Sequence, residues 1–154
     1  MSAAGFTPSL RIKKLNERAA VPAYQTDGAA GMDLCACLAP GETMTLAPGQ
    51  IALVPTGLAV AIPRGFEGQV RARSGLSTKH GIGLSNAPGT IDSDYRGELR
   101  VAVINFSREA FEITHGLRIA QLVIAPVAHA RIELVEELDD TGRGGGGFGS
   151  TGLH

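Results

Sequence analysis

The residues of this chain that could do chemistry are gathered in a few short segments. The densest reads Asn86-Ala87-Pro88-Gly89-Thr90-Ile91-Asp92-Ser93-Asp94-Tyr95-Arg96-Gly97-Glu98. Polar, acidic and aromatic groups lie there between two turn signals, Pro88-Gly89 and Arg96-Gly97, as in a functional loop or an ordinary acidic turn. Asp92 could take a proton from an attacking water, and Tyr95 could pack on a flat or puckered ring. Arg71-Ala72-Arg73-Ser74-Gly75 opens a short helical candidate. Guanidiniums, a hydroxyl and free N–H groups at a helix start suit an anion, the plainer alternative being a surface cap with solvated arginines. Asp33 lies in an otherwise apolar strand start, and Arg118 and Gln121 interrupt the apolar run Leu117-Arg118-Ile119-Ala120-Gln121-Leu122. A buried acid needs a partner, and a magnesium-bound water or an arginine would serve.

Near the C-terminus, Gly142-Arg143-Gly144-Gly145-Gly146-Gly147 matches a dinucleotide-binding glycine pattern in letters only. Seven residues follow, too few for the helix and the distant acid that such a site requires. No Gly-x-x-x-x-Gly-Lys-Ser/Thr run occurs either. A glycine ribbon remains, carrying Arg143, Phe148, Ser150 and Thr151. It reads either as a phosphate grip and stacking surface on a hinge or as a solubilising tail. The four histidines have no ligand spacing. Cys35 and Cys37, two apart on a strand and so on one face, lack a second pair and read as small buried hydrophobes.

The elements that must position these groups read as strands. Pro-Gly and Pro-x-Gly turns at 40–41, 48–49, 63–65 and 88–89 punctuate short stretches rich in Val, Ile and Leu. Strands are expected over 51–54, 58–62, 68–73, 99–106, 111–114, 117–126 and 131–136. One short helix is expected over 74–81, capped by Ser74 and ended by Gly81. This pattern points to an all-β sandwich, jelly roll or barrel. From Asp139 the chain has almost no apolar content and cannot offset the entropy of ordering itself. The expected organisation is therefore an all-β domain over 1–138 and a flexible glycine-rich arm over 139–154.

At 154 residues the chain suffices for one domain with its own core. A net charge of −1 argues against a nucleic-acid coat, which would carry a basic stripe. Eleven Arg against three Lys nevertheless leave a local anion site open. No apolar run approaches a membrane span, and the N-terminus lacks a basic start and apolar stretch. The expectation is a cytoplasmic protein without membrane or nucleic-acid partners.

Taken in order, five segments resemble the five motifs of the homotrimeric dUTP diphosphatases (dUTPases), over about residues 10 to 152. They are the stretch 30–36, Arg73-Ser74-Gly75, the stretch 86–98, the stretch 118–122 and the stretch 143–152. The runs Gly-Thr-Ile-Asp-Ser-Asp-Tyr-Arg-Gly-Glu and Gly-Gly-Phe-Gly-Ser-Thr-Gly are the most specific. The resemblance implies a jelly-roll-like distorted barrel, and a homotrimer with shared active sites. It implies hydrolysis of dUTP to dUMP and pyrophosphate, with Mg2+ as cofactor, supplying dUMP for thymidylate synthesis. Asp92 matches the general base that directs water at the α-phosphorus. Asn86 and the backbone of a hairpin over 89–100, with Gly89, Thr90, Ile91 and Arg100, match the uracil-reading element. Tyr95 matches the residue beneath the deoxyribose. Arg73, Ser74, Gly75 and Gln121 match phosphate contacts, and Asp33 the acid that acts on magnesium through water. In the arm, Phe148 matches the ring that covers the base, and Arg143, Ser150 and Thr151 match γ-phosphate contacts. The unbroken glycine run 144–147 departs from relatives that often have another residue there. A dCTP deaminase would need an acid-bearing loop of another pattern. A non-catalytic nucleotide-binding trimer would need no positioned base.

Overall fold

The structure is a computed structural model that describes residues 7–147. Its elements in chain order are β1 (Arg11–Lys14), β2 (Met32–Cys35), β3 (Thr43–Leu46), β4 (Ile51–Ala61), β5 (Phe66–Arg71), α1 (Ser74–His80), β6 (Ile82–Leu84), β7 (Gly89–Ile91), β8 (Glu98–Asn105), β9 (Phe111–Thr114) and β10 (Arg118–Pro126). All strand pairs are antiparallel. They form one sheet in the order β1-β4-β8-β6, a second in the order β2-β10-β5-β7, and a ribbon of β3 with β9. The all-β class expected from the turn pattern is observed, in the jelly-roll-like arrangement that the resemblance implies.

Alternation builds the core. Along β8, Leu99, Val101, Val103 and Asn105 are buried while Arg100 points out. Leu34, Leu58, Leu99, Ile113 and Leu122 are fully buried, each contributing roughly 1.5–3 kcal/mol of apolar transfer. Residues of both four-stranded sheets join in one core cluster. Buried Asn105 donates to the Leu46 and Glu109 carbonyls at 2.9 and 2.7 Å, tying the ribbon to β8. Among the described residues no buried side-chain polar atom lacks a partner, and no helix is long and apolar enough to cross a membrane.

The strands expected at 51–54 and 58–62 are one strand, β4. It is interrupted by a register shift between Pro55 and Ala59, with Gly57 at a φ of 68°. Pro55 is tolerated because β1 pairs with β4 only from Leu58 onward, so its missing N–H costs no ladder bond on that side. A side chain at Gly57 would also meet Cys37 Sγ at 2.9 Å.

Four expectations are corrected. Ser74 does not cap α1: it is the first helical residue, and Arg73 occupies the cap position in extended conformation with no side-chain cap bond. The Arg73 side chain is drawn instead to Asp33, which fixes where the chain turns into the helix. Gly81 does end the helix, in the left-handed region with its N–H on Ser77 O at 3.1 Å. The segment 131–136 is not a strand: it pairs with no sheet among the described residues, and Ile132 and Leu134 are 95% and 100% exposed. Residues 89–100 do not form a paired hairpin. β7 pairs with β5 and β8 pairs with β4 and β6, so the loop between them crosses from one sheet to the other. The cysteines part company because β2 ends at Cys35: Cys37 packs with Ala19 and Leu58, while Cys35 stays half-buried beside Asp33.

Candidate active site

The sheet-to-sheet crossing at 92–97 creates a cavity of about 460 Å³ lined by Leu53, Thr90, Ile91, Asp92, Tyr95, Glu98, Leu99 and Arg100. Its walls follow from the topology. β7 is the last strand of its sheet, so one row of its N–H and C=O groups has no ladder partner. Thr90 and Ile91, where β7 ends, line the cavity, and because successive strand residues turn their N–H and C=O to opposite sides, only one of the two faces away from β5. Asp92 follows directly and is exposed, and its carboxylate has no hydrogen bond or ion pair among the described residues. The Tyr95 N–H donates to Asp92 O at 3.2 Å, closing the turn, and the Tyr95 hydroxyl donates to Glu98 O at 3.0 Å. Arg96 fastens the outside of the loop by donating to the Ser93 and Tyr95 carbonyls, each at 2.7 Å.

Glu98 ties the loop to the sheet. One carboxylate oxygen accepts from the Gly57 N–H at the β4 bulge, 2.9 Å, and the other pairs with Arg100 Nε at 2.9 Å. Arg100 is more than half exposed, so the pair orients its guanidinium more than it stabilises the fold. Leu53 and Glu98 are cavity residues that sequence reasoning missed. Leu53 had a legible signal, a large apolar residue at an outward position of a strand. Asn86 does not line the cavity; it packs against Gly89, where a Cβ would lie 3.2 Å from Asn86 Nδ2.

A second group lies across β2, β10 and β5. Gln121 stands opposite Asp33 on one side and Arg71 on the other. The largely buried Asp33 carboxylate is held from two directions, by Arg73 Nε at 2.9 Å and Arg118 Nη1 at 3.1 Å. Arginine, one of the two partners open to a buried acid, is supplied twice. Arg73 also donates to Arg118 O at 3.3 Å, and Gln121 Nε2 donates to Ala72 O at 3.0 Å. Gly31 leaves room for Gln121, since a Cβ there would fall 2.5 Å from its Oε1. Burial above all, and then the Asp33 carboxylate, push the Cys35 thiol up, against the opposing pull of Arg118 and Arg73. Ser74 and Gly75 are exposed at the start of α1, beside Arg73.

The structure thus sorts the candidate residues into two sets. Thr90, Ile91, Asp92, Tyr95 and Arg100 share a cavity, whereas Asp33 is ion-paired with Arg73 and Arg118, with Gln121 opposite it on β10 and Ser74 and Gly75 at the margin. No member of the second set lines the cavity of the first. Arg143 joins neither, its Nε donating to Gly146 O within its own turn at 2.8 Å. Phe148, Ser150 and Thr151 lie outside the described residues.

Among the described residues no cluster of three or more His, Cys, Asp or Glu could cage a metal ion. Magnesium commonly binds through substrate phosphates and water with one or two carboxylates, and the single Asp33 beside a guanidinium cluster fits that mode.

A family model described as dUTPase matches residues 17–152. A deoxyuridine 5'-triphosphate nucleotidohydrolase of Rhizobium rhizogenes is 60% identical over 133 residues, 86% of this chain and 85% of that protein. One from an Anaeromyxobacter species is 56% identical, over 94% of this chain and 97% of its own. Among solved structures, a mutant dUTPase of Staphylococcus bacteriophage 80alpha with dUpNHpp superposes with a TM-score of 0.85 at 30% identity, covering 96% of this chain and 100% of that one. A mutant dUTPase of phage phi11, described with a coordinated structural Mg(II) ion, has a TM-score of 0.76 at 27% identity, covering 86% of this chain and 99% of its own. By the reach of the family model and the identity of these relatives, the chain belongs to the dUTPase family.

Proposed function

We propose that the protein hydrolyses dUTP to dUMP and pyrophosphate, with Asp92 activating the water that attacks the α-phosphorus. The observation that carries this reading is the cavity at the sheet crossing. Asp92, whose carboxylate has no partner among the described residues, and Tyr95 line it together with Thr90 and Ile91 at the end of an edge strand, and this grouping supports the reading. Backbone N–H and C=O groups on the free edge of β7 and in the loop after it can match the pairing edge of uracil, and cytosine would leave them mispaired. Asp92 accepts the proton as water bonds to phosphorus and the bond to the β-phosphate oxygen breaks, releasing pyrophosphate. Arg73, Gln121 and the chain at Ser74 and Gly75 hold phosphate oxygens. A bound magnesium ion would neutralise phosphate charge and fix its geometry, with Asp33 acting on its water shell. Presented with the four common dNTPs, dCTP included, and with dUTP and UTP side by side, the enzyme should release pyrophosphate from dUTP alone. Ammonia from dCTP, or turnover spread over several nucleotides, would overturn the reading.

The two separate residue sets support an assembly with shared sites. A second copy could bring its Arg73–Gln121 cluster to the cavity of the first, and the resemblance makes that assembly a homotrimer. The exposed side chains of Ile132, Leu134 and Leu138 are what a segment covered by another subunit would show. Light scattering at working concentration should report about three chains per particle. A monomer with full activity would contradict shared sites. The arm from 139 to 154 is assigned the role of closing over a site.

Tyr95 is assigned the sugar. Tyr95 lines the cavity, and on this reading its ring excludes a 2′-hydroxyl by collision. Tyr95→Ala should lower the ratio of kcat/KM on dUTP to that on UTP by at least about tenfold. Loss of dUTP activity with an unchanged ratio would contradict the steric account.

A further inference from the structure

We propose that Gly97 is a positioning residue for sugar discrimination, its missing side chain being the space into which the Tyr95 ring is set. The inference rests on the assignment of Tyr95 above. A Cβ built at Gly97 would fall onto the Tyr95 hydroxyl, 2.7 Å from Cζ and 3.0 Å from Cε2. These are contacts that real Cβ atoms do not make, so either the ring or the backbone must yield. The backbone gives no reason for glycine, because φ at Gly97 lies outside the left-handed region. The atoms met are the far end of a side chain that is 43% exposed, and that end can swing outward. Its present position is held at two points. The hydroxyl donates to Glu98 O, and the Tyr95 N–H donates to Asp92 O. A methyl group at 97 removes the first hold and leaves the second, so the ring moves while the Asp92 turn stays. Gly97 therefore acts on selectivity through Tyr95 and not on the proton acceptor.

Two readouts separate this from a general structural role. The chain has no Trp and only two Tyr, so a Tyr24→Phe background leaves Tyr95 as the sole source of the tyrosine near-ultraviolet dichroism. Adding Gly97→Ala should at least roughly halve that band, as the ring loses a fixed setting. The same substitution should lower the dUTP/UTP ratio of kcat/KM by at least about tenfold, with a smaller fall in kcat on dUTP. Combined with Tyr95→Ala it should add nothing further to the ratio, because the ring it displaces is already gone. An unchanged band overturns the proposal. So does an unchanged ratio in Gly97→Ala when Tyr95→Ala alone shifts it. If neither variant shifts the ratio, the assignment of Tyr95 to the sugar fails and the selectivity role falls with it, while the band still decides whether Gly97 sets the ring. If Gly97→Ala does not fold, the double variant decides. Folding restored by removing the ring supports the proposal, and failure of both overturns it.

Discussion

Asp92→Asn should lower kcat on dUTP by at least about a hundredfold while leaving KM similar, the usual scale for removing an acid–base group. The structure makes this substitution clean. Among the described residues the carboxylate has no hydrogen bond or ion pair to lose, and the main-chain bond from Tyr95 N–H to Asp92 O at 3.2 Å does not depend on the side chain. Stability should therefore stay within about 0.5 kcal/mol of the parent, as for an exposed residue without partners. Steady-state kinetics beside thermal unfolding checks both halves. Near-normal turnover in a folded variant would remove Asp92 from the mechanism.

Deletion from Gly142 onward should have an effect of similar size, for a different reason. The arm carries Arg143, Phe148, Ser150 and Thr151 on a glycine ribbon, and ordering each residue costs roughly 1 kcal/mol of backbone entropy. If Phe148 meets the base and Arg143 the γ-phosphate, as proposed, a ligand offering both offsets that cost, and dUMP does not. The tailless chain should keep the fold and the assembly, since the core lies within β2 to β10. It should lose at least about a hundredfold in turnover, through poorer positioning and admitted water. Mixing tailless chains with Asp92→Asn chains should restore part of the activity if an arm closes over another subunit's site. No recovery after verified subunit exchange would count against closure in trans. Full activity of the tailless enzyme would remove the lid.

Much of this was legible in residue order, and the exceptions have physical causes. Pro-Gly turns and alternating apolar stretches announced an all-β fold because both act locally. The partners of Asp33 did not show, because Arg73 and Arg118 reach it from segments far away in sequence. The same ion pair accounts for the misplaced cap at Ser74, since a long-range contact overrode a local preference. The 131–136 run has the composition of a strand but pairs with no sheet among the described residues, and composition cannot supply an edge. The hairpin over 89–100 was implied by the resemblance, and the turn signals at 88–89 and 96–97 do not by themselves say which sheet the next strand enters. Gly97 reads as a turn glycine, and only the placement of Tyr95 shows that its lack of a side chain matters sterically.

The central claim is water attack on the α-phosphorus of dUTP in the Asp92 cavity. It is tested most directly by letting the enzyme hydrolyse dUTP in water enriched in the heavy oxygen isotope and weighing both products. Attack at the α-phosphorus puts one heavy oxygen into the phosphate of dUMP and none into pyrophosphate, and Asp92→Asn should suppress its appearance. Heavy oxygen in pyrophosphate, with dUMP unlabelled, would contradict the account.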